Sequence, residues 1–255
     1  MRFASLGSGS RGNALVVEAG STRVLLDCGF AIRETVRRLQ RLQIEPESLS
    51  AICITHEHSD HIAGAFKFAR RYGLSVWLTH GTLVAAPEMA GEMPSLSVIN
   101  GHSTYALGDL QILPYPVPHD AREPIQYVFT DGARRLGVLT DAGCLTPHMV
   151  SMLDACDALV LECNHDGELL AGSAYPPSLK RRIAGRLGHL DNATAAALLS
   201  RIDVGRLQHI VAAHLSEQNN RPELAVSALA EALACAREWI GVADQENGFD
   251  WRQLT

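Results

Sequence analysis

The chain has 255 residues, 47 % hydrophobic and 20 % charged, with a net charge of −6. That composition is ordinary for a soluble globular protein and long enough to bury a core without disulfides; the acidic balance excludes coating nucleic acid by bulk charge but leaves room for a local basic patch. Six scattered cysteines without a CxxC pair read as reduced, buried thiols, and with no apolar leader and no run long enough to span a bilayer the expected location is the cytoplasm.

Along the chain, Val24-Leu25-Leu26 and Ala51-Ile52-Cys53-Ile54 are short apolar runs that suit strands buried on both faces. Between them Ile32, Val36 and Leu39 share one face of a helix whose other face carries Arg33, Arg37 and Arg41. A second helix follows Asp60 and closes near Gly73. Strands are expected over 74–78, 110–117, 125–130, 136–140, 157–162 and 209–213. An alanine-rich helix capped by Asp191 covers 191–202, and a long helix covers 221–240 with Pro222 in its first turn. Two β-rich halves, each followed by helices, imply an α/β fold, a helix–sheet–sheet–helix sandwich in one domain over 1–255.

The densest chemistry is His56-Glu57-His58-Ser59-Asp60-His61, directly after an apolar strand. Alternation points His56 and His58 the same way, and the turn into a helix brings in Asp60 and His61. Imidazoles and carboxylates suit zinc, manganese or iron. One loop cannot satisfy two ions, so further ligands are sought at strand ends, where His119, Asp141 and His214 each follow an apolar run. Any one of them alone would be an ordinary surface or core residue.

These residues resemble the HxHxDH signature of the metallo-β-lactamase superfamily, in order and spacing, over essentially the whole chain. The resemblance implies the αββα four-layer sandwich of that superfamily. It also implies a centre of two divalent ions: His56, His58 and His119 on one, Asp60, His61 and His214 on the other, and Asp141 bridging. Asp27 would orient the histidine loop from behind.

Within the superfamily, Glu162, His189 and His214 follow the order seen in the ribonuclease Z and ribonuclease J branches, where a histidine outside the metal set meets the scissile phosphate. The opening Ser5-Leu6-Gly7-Ser8-Gly9-Ser10-Arg11-Gly12-Asn13 is similar to the SGSxGN start of the YycJ (WalJ) group, as are the segments 162–166, 188–192 and 214–220. That group implies 5′-to-3′ DNA exonuclease chemistry, with Glu162 and His189 joining Asp60 in catalysis. Asp141 to His189 leaves no room for a β-CASP insertion. Ser8, Gly9, Ser10 and Asn13 would meet substrate through backbone N–H groups, and Lys180, Arg181 and Arg182 would meet its phosphates. Asn164 and His165 would support the centre from outside the metal shell. The expected partner is nucleic acid, DNA first, or a small phosphodiester, and no membrane. A small-molecule phosphodiesterase is the runner-up, ahead of a thioesterase or lactamase and of a non-enzymatic metal or redox protein.

Overall fold

The computed structural model describes residues 1–86 and 95–255. One sheet contains β1 (Arg2–Gly7), β2 (Ala14–Ala19), β3 (Thr22–Leu26), β4 (Ala51–Cys53), β5 (Ser75–Thr79), β6 (Leu96–Ile99) and β14 (Phe249–Gln253), in the order β14-β1-β2-β3-β4-β5-β6. The other contains β7 (Tyr105–Leu107), β8 (Leu110–Pro116), β9 (Ile125–Thr130), β10 (Arg135–Leu139), β11 (Ala158–Glu162), β12 (His209–Ala213) and β13 (Ile240–Val242), ordered β13-β12-β11-β10-β9-β8-β7.

Period-two alternation builds the layers. In β3, Val24 and Leu26 enter the core between the sheets while Leu25 enters the outer core under α1 (Ile32–Arg41). In β11, Ala158 and Val160 face the inter-sheet core, and Leu159 and Leu161 face the helices α5 (Pro147–Leu153), α8 (Asn192–Leu199) and α9 (Pro222–Ala232). Strands buried on both faces read as unbroken apolar runs for this reason. The arrangement is the expected helix–sheet–sheet–helix sandwich. Among the described residues no helix is long and apolar enough to cross a membrane.

Two expected helices differ from the sequence reading. The segment after Asp60 forms two pieces, α2 (Ser59–Ile62) and α3 (Ala65–Tyr72), and the short α4 (His80–Ala85) follows β5. The Asp60 carbonyl, which a continuous helix would use, accepts instead from the Asn13 N–H (2.7 Å), and the Gly64 N–H donates to the Cys28 carbonyl (2.8 Å). A side chain at Gly64 would collide with the Phe30 carbonyl oxygen. The helix expected over 221–240 ends at Ala232, because Ala234 takes a left-handed turn (φ 48°) and the Cys235 N–H caps the Ala230 carbonyl. The apolar residues beyond it become β13, an edge strand beside β12.

The topology positions the site. β3 and β4 run parallel, as do β10, β11, β12 and β13. β8 shares that direction because it is antiparallel to β9, which is antiparallel to β10. The residues just past these strands include Asp27, His56, His119, Asp141, Asn164 and His214. They emerge at the carboxyl ends of their strands, where open α/β sheets place their ligands.

Candidate metal centre

The histidine loop is shaped from beneath by Asp27. This residue, at the end of β3, is buried and left-handed (φ 59°), a conformation that aspartate tolerates better than most residues. Its carboxylate accepts from the Thr55 N–H (2.8 Å), the Thr55 hydroxyl (3.0 and 3.1 Å) and His61 Nδ1 (2.8 Å). Burial raises the Asp27 carboxyl above its ordinary value, against the lowering effect of His61 and Thr55. Anchoring Nδ1 turns His61 Nε2 to face Asp141 Oδ2 (3.2 Å) and Asp60 Oδ2 (3.3 Å). Thr55 Oγ1 also reaches His56 Nδ1 (2.9 Å).

The remaining histidines are held in the same way. His119 Nδ1 donates to the Gly188 carbonyl (2.9 Å), and its Nε2 lies 3.2 Å from His58 Nδ1. His214, itself left-handed (φ 53°), has the Asn164 amide against its Nδ1 (3.2 Å) and its Nε2 3.3 Å from Asp60 Oδ2. Asp141 lies between the two groups, 3.6 Å from His214 and 3.8 Å from His119. The donor atoms of His56, His58 and His119 lie within 4.8 Å of one another, as do those of Asp60, His61 and His214, and those of His56, His61 and Asp141. All seven residues singled out as ligands thus converge.

A test of fit comes from what the protein leaves unsatisfied. His56 Nε2 and Asp141 Oδ2 are buried without a hydrogen-bond partner. Such atoms are costly unless a further group satisfies them. Burial and the neighbouring His61 and His119 hold His56 well below its ordinary value, keeping a lone pair available. His214 and His61 hold Asp141 ionised despite burial. Against the lowering effect of burial, Asp141 and Asp60 raise His61 and His214 above their ordinary value, so five imidazoles and ionised carboxylates crowd one buried space, the donor set of a divalent cation whose binding would displace those protons.

His189, 22 % exposed in its side chain, has Nδ1 2.7 Å from Glu162 Oε1, and the two also form a group with Asp141 and His214 whose donor atoms lie within 4.8 Å of one another. The His189 ring stacks on His214 (5.4 Å) and meets His119 edge-on (5.1 Å). Glu162 is fully buried, and its Oε2 accepts from the Ala142 (2.9 Å) and Leu190 (3.2 Å) N–H groups. Burial pushes His189 down to about 4, while burial and the charge of Asp141 push Glu162 well up.

The glycine–serine loop touches the centre, but with its side chains. Its N–H groups are engaged by protein acceptors: Ser8 to Asp244, Gly9 to Asn13 Oδ1, Arg11 to Gln245 Oε1, Gly12 to Gly9 and Asn13 to Asp60. Ser10 alone in this run has no such acceptor among the described residues. Ser8 Oγ accepts from the His214 N–H (2.9 Å), and Asn13 Nδ2 donates to Asp60 Oδ2 (3.1 Å). Because Asn13 Oδ1 is committed to Gly9, its donor end must face Asp60. Asn13→Ala is therefore expected to weaken the ion at Asp60, His61 and His214 about 10-fold, the lower end for a lost supporting contact. Chelator competition measures this, and unchanged affinity would show that Asp60 holds its place unaided.

Lys180, Arg181 and Arg182 lie on α7 (Pro177–Ile183). Lys180 Nζ donates to the Ala171 carbonyl, and Arg182 Nε pairs with Asp120 Oδ2 (both 2.6 Å). Asp120 Oδ1 is 3.6 Å from His119 Nε2 and 3.8 Å from His58 Nε2. Asp166 caps α6 (Gly167–Gly172) through the Glu168 and Leu169 N–H groups, and the buried His165 leaves Nδ1 without a partner. Neither belongs to a potential metal group among the described residues. The sequence reading missed Thr55, Asp120 and Gln245. Adjacency to the histidine motif and to His119 could have flagged the first two, whereas nothing local marks Gln245.

A family model described as a β-lactamase superfamily domain matches residues 22–210. Exodeoxyribonuclease YycJ of Bacillus anthracis is 34 % identical over 235 residues, covering 91 % of this chain and 89 % of the relative. Exodeoxyribonuclease WalJ of Streptococcus pneumoniae serotype 2 is 34 % identical over 245 residues, covering 94 % and 91 %. Among solved structures, the metallo-β-lactamase fold protein YhfI of Bacillus subtilis superposes with a TM-score of 0.76 over 99 % of each chain at 14 % identity.

Proposed function

This chain belongs to the metallo-β-lactamase superfamily, in the family of the YycJ and WalJ exodeoxyribonucleases, and on that footing we propose that it is a metal-dependent nuclease that degrades DNA from an end. The observation that carries the reading is the His189–Glu162 pair at 2.7 Å, set against the seven-residue centre. A lactam or thioester has little use for a donor there. A phosphodiester carries charge on its non-bridging oxygens and expels an alkoxide, so it does.

His56, His58 and His119 would hold one ion, Asp60, His61 and His214 the other, and Asp141 both. Five imidazoles and two carboxylates suit zinc or manganese, and iron is compatible. Two such ions, when bound, supply Lewis acidity toward water and the phosphoryl oxygen. Asp60 and Asp141 orient the attacking water. Glu162, locked by the Ala142 and Leu190 N–H groups, fixes the His189 ring through Nδ1. That leaves Nε2 to donate to the phosphate or to the departing oxygen. Ser10 and the α7 cations line the substrate side in this reading, while Ser8 and Gly9 lie buried behind it. The free cysteines, of which Cys28, Cys53, Cys156 and Cys163 are buried, fit a cytoplasmic enzyme.

A substrate panel with added zinc or manganese tests the assignment. Cleavage of bis-p-nitrophenyl phosphate and progressive shortening of end-labelled DNA are expected, with no thioester hydrolysis. Turnover of the small ester without attack on DNA would move the protein to the small-molecule phosphodiesterases.

A further inference from the structure

We propose that loop 185–188 is a nucleobase rest: Leu187 packs against a base of a single-stranded DNA end while Arg181 and Arg186 hold its phosphates. Leu187 is 54 % exposed. A lone exposed leucine is unremarkable on a free surface, but this one stands on a loop whose backbone is fastened on both sides. The Gly188 N–H donates to Gly185 (2.8 Å) and the His189 N–H to Ile183 (2.9 Å), and the Gly188 carbonyl is taken by His119 Nδ1. On the other side the loop backbone rests on Gly143, where any side chain would strike Arg186 and Gly188, and the Gly143 N–H donates to Pro118 (2.8 Å). The loop is thus fastened to the segments that carry His119 and Asp141, and it presents its leucine two residues before His189.

Charge selects the occupant. Arg181 and Arg186 are exposed and, among the described residues, have no carboxylate within ion-pair distance, whereas Arg182 is spent on Asp120. An apolar side chain directly after Arg186, in the loop that follows the helix carrying Arg181, fits a strand whose unstacked base offers an apolar face beside each phosphate. This rests on the nuclease reading and names which part of the substrate the enzyme grips.

The test compares an oligothymidylate with the same strand made abasic at its terminal nucleotides. The wild type is expected to prefer the base-bearing strand about 10-fold in kcat/KM, within the range of one stacked base. Leu187→Ser should abolish that preference, and Leu187→Trp should widen it. The double variant Arg181→Glu/Arg186→Glu should raise KM and flatten its salt dependence. Metal content, measured on every variant, separates a damaged centre from a lost contact. Normal DNA cleavage with no base preference, or a preference that survives Leu187→Ser, overturns the nucleobase rest alone. A wild type that cleaves bis-p-nitrophenyl phosphate but no DNA overturns the nuclease reading with it.

Discussion

Replacing His189 with alanine is expected to lower phosphodiester cleavage about 10²–10⁴-fold, the usual cost of a lost general acid, while the protein keeps its metal. The geometry separates the two effects. The ligand atoms of both histidine groups are oriented by Asp27, Thr55, Asn164 and the Gly188 carbonyl, none of which depends on the His189 side chain. What the substitution does remove is the partner of Glu162, whose second oxygen stays anchored to Ala142 and Leu190. Metal analysis beside steady-state kinetics distinguishes the outcomes. Loss of metal together with activity would make His189 a ligand, a role that its proximity to Asp141 (3.4 Å) permits. Undiminished cleavage would remove it from the mechanism altogether.

Asp141→Ala is expected to bring metal content below one equivalent and cleavage to background. Asp141 is the side chain that reaches both histidine groups, through His61 at 3.2 Å on one side and His119 at 3.8 Å on the other. Without it, His56 Nε2 and the rings around it face an anion-poor hole. Stability gives an independent readout. Metal at about 1,000 times its dissociation constant contributes about 4 kcal/mol per ion. At about 2–4 °C per kcal/mol for a chain of this size, stripping the wild type with a chelator should lower Tm by about 8–16 °C per ion. The variant should be indifferent to the chelator. A wild type whose Tm ignores metal removal would mean that ions do not bind to this set of residues.

The candidate ligands were legible because His56, His119, Asp141 and His214 each follow a buried strand, where an apolar run gives way to polar residues, and His58, Asp60 and His61 sit in the same dense motif as His56. Asp141 and His214 needed only that pattern and the dense motif at 56–61 to be placed together. Partners joined across the chain were invisible: Gln245 holds Arg11 and Gly12 from more than two hundred residues away. The break at Gly64 escaped for the same reason, since the groups that compete for its helix, the Asn13 N–H donor and the Cys28 carbonyl acceptor, lie on distant loops. The left-handed turn at Ala234 carries no glycine to announce it. In the serine–glycine loop, composition alone could not tell N–H groups facing a ligand from N–H groups already bonded to Asp244, Gln245 and Asp60.

The far-reaching grip of Gln245 has a temporal meaning. β14 pairs with β1, the Asp244 carbonyl takes the Ser8 N–H, and Ser8 in turn steadies His214. A chain emerging from the ribosome presents its histidine motif early, but the brace for Asp60 and His214 awaits a segment translated some 230 residues after Arg11. Contacts of such sequence separation close late and slowly. His214 is itself among the last residues of the centre to be made, so the centre is set only as the segment around Gln245 closes on the loop at 8–13.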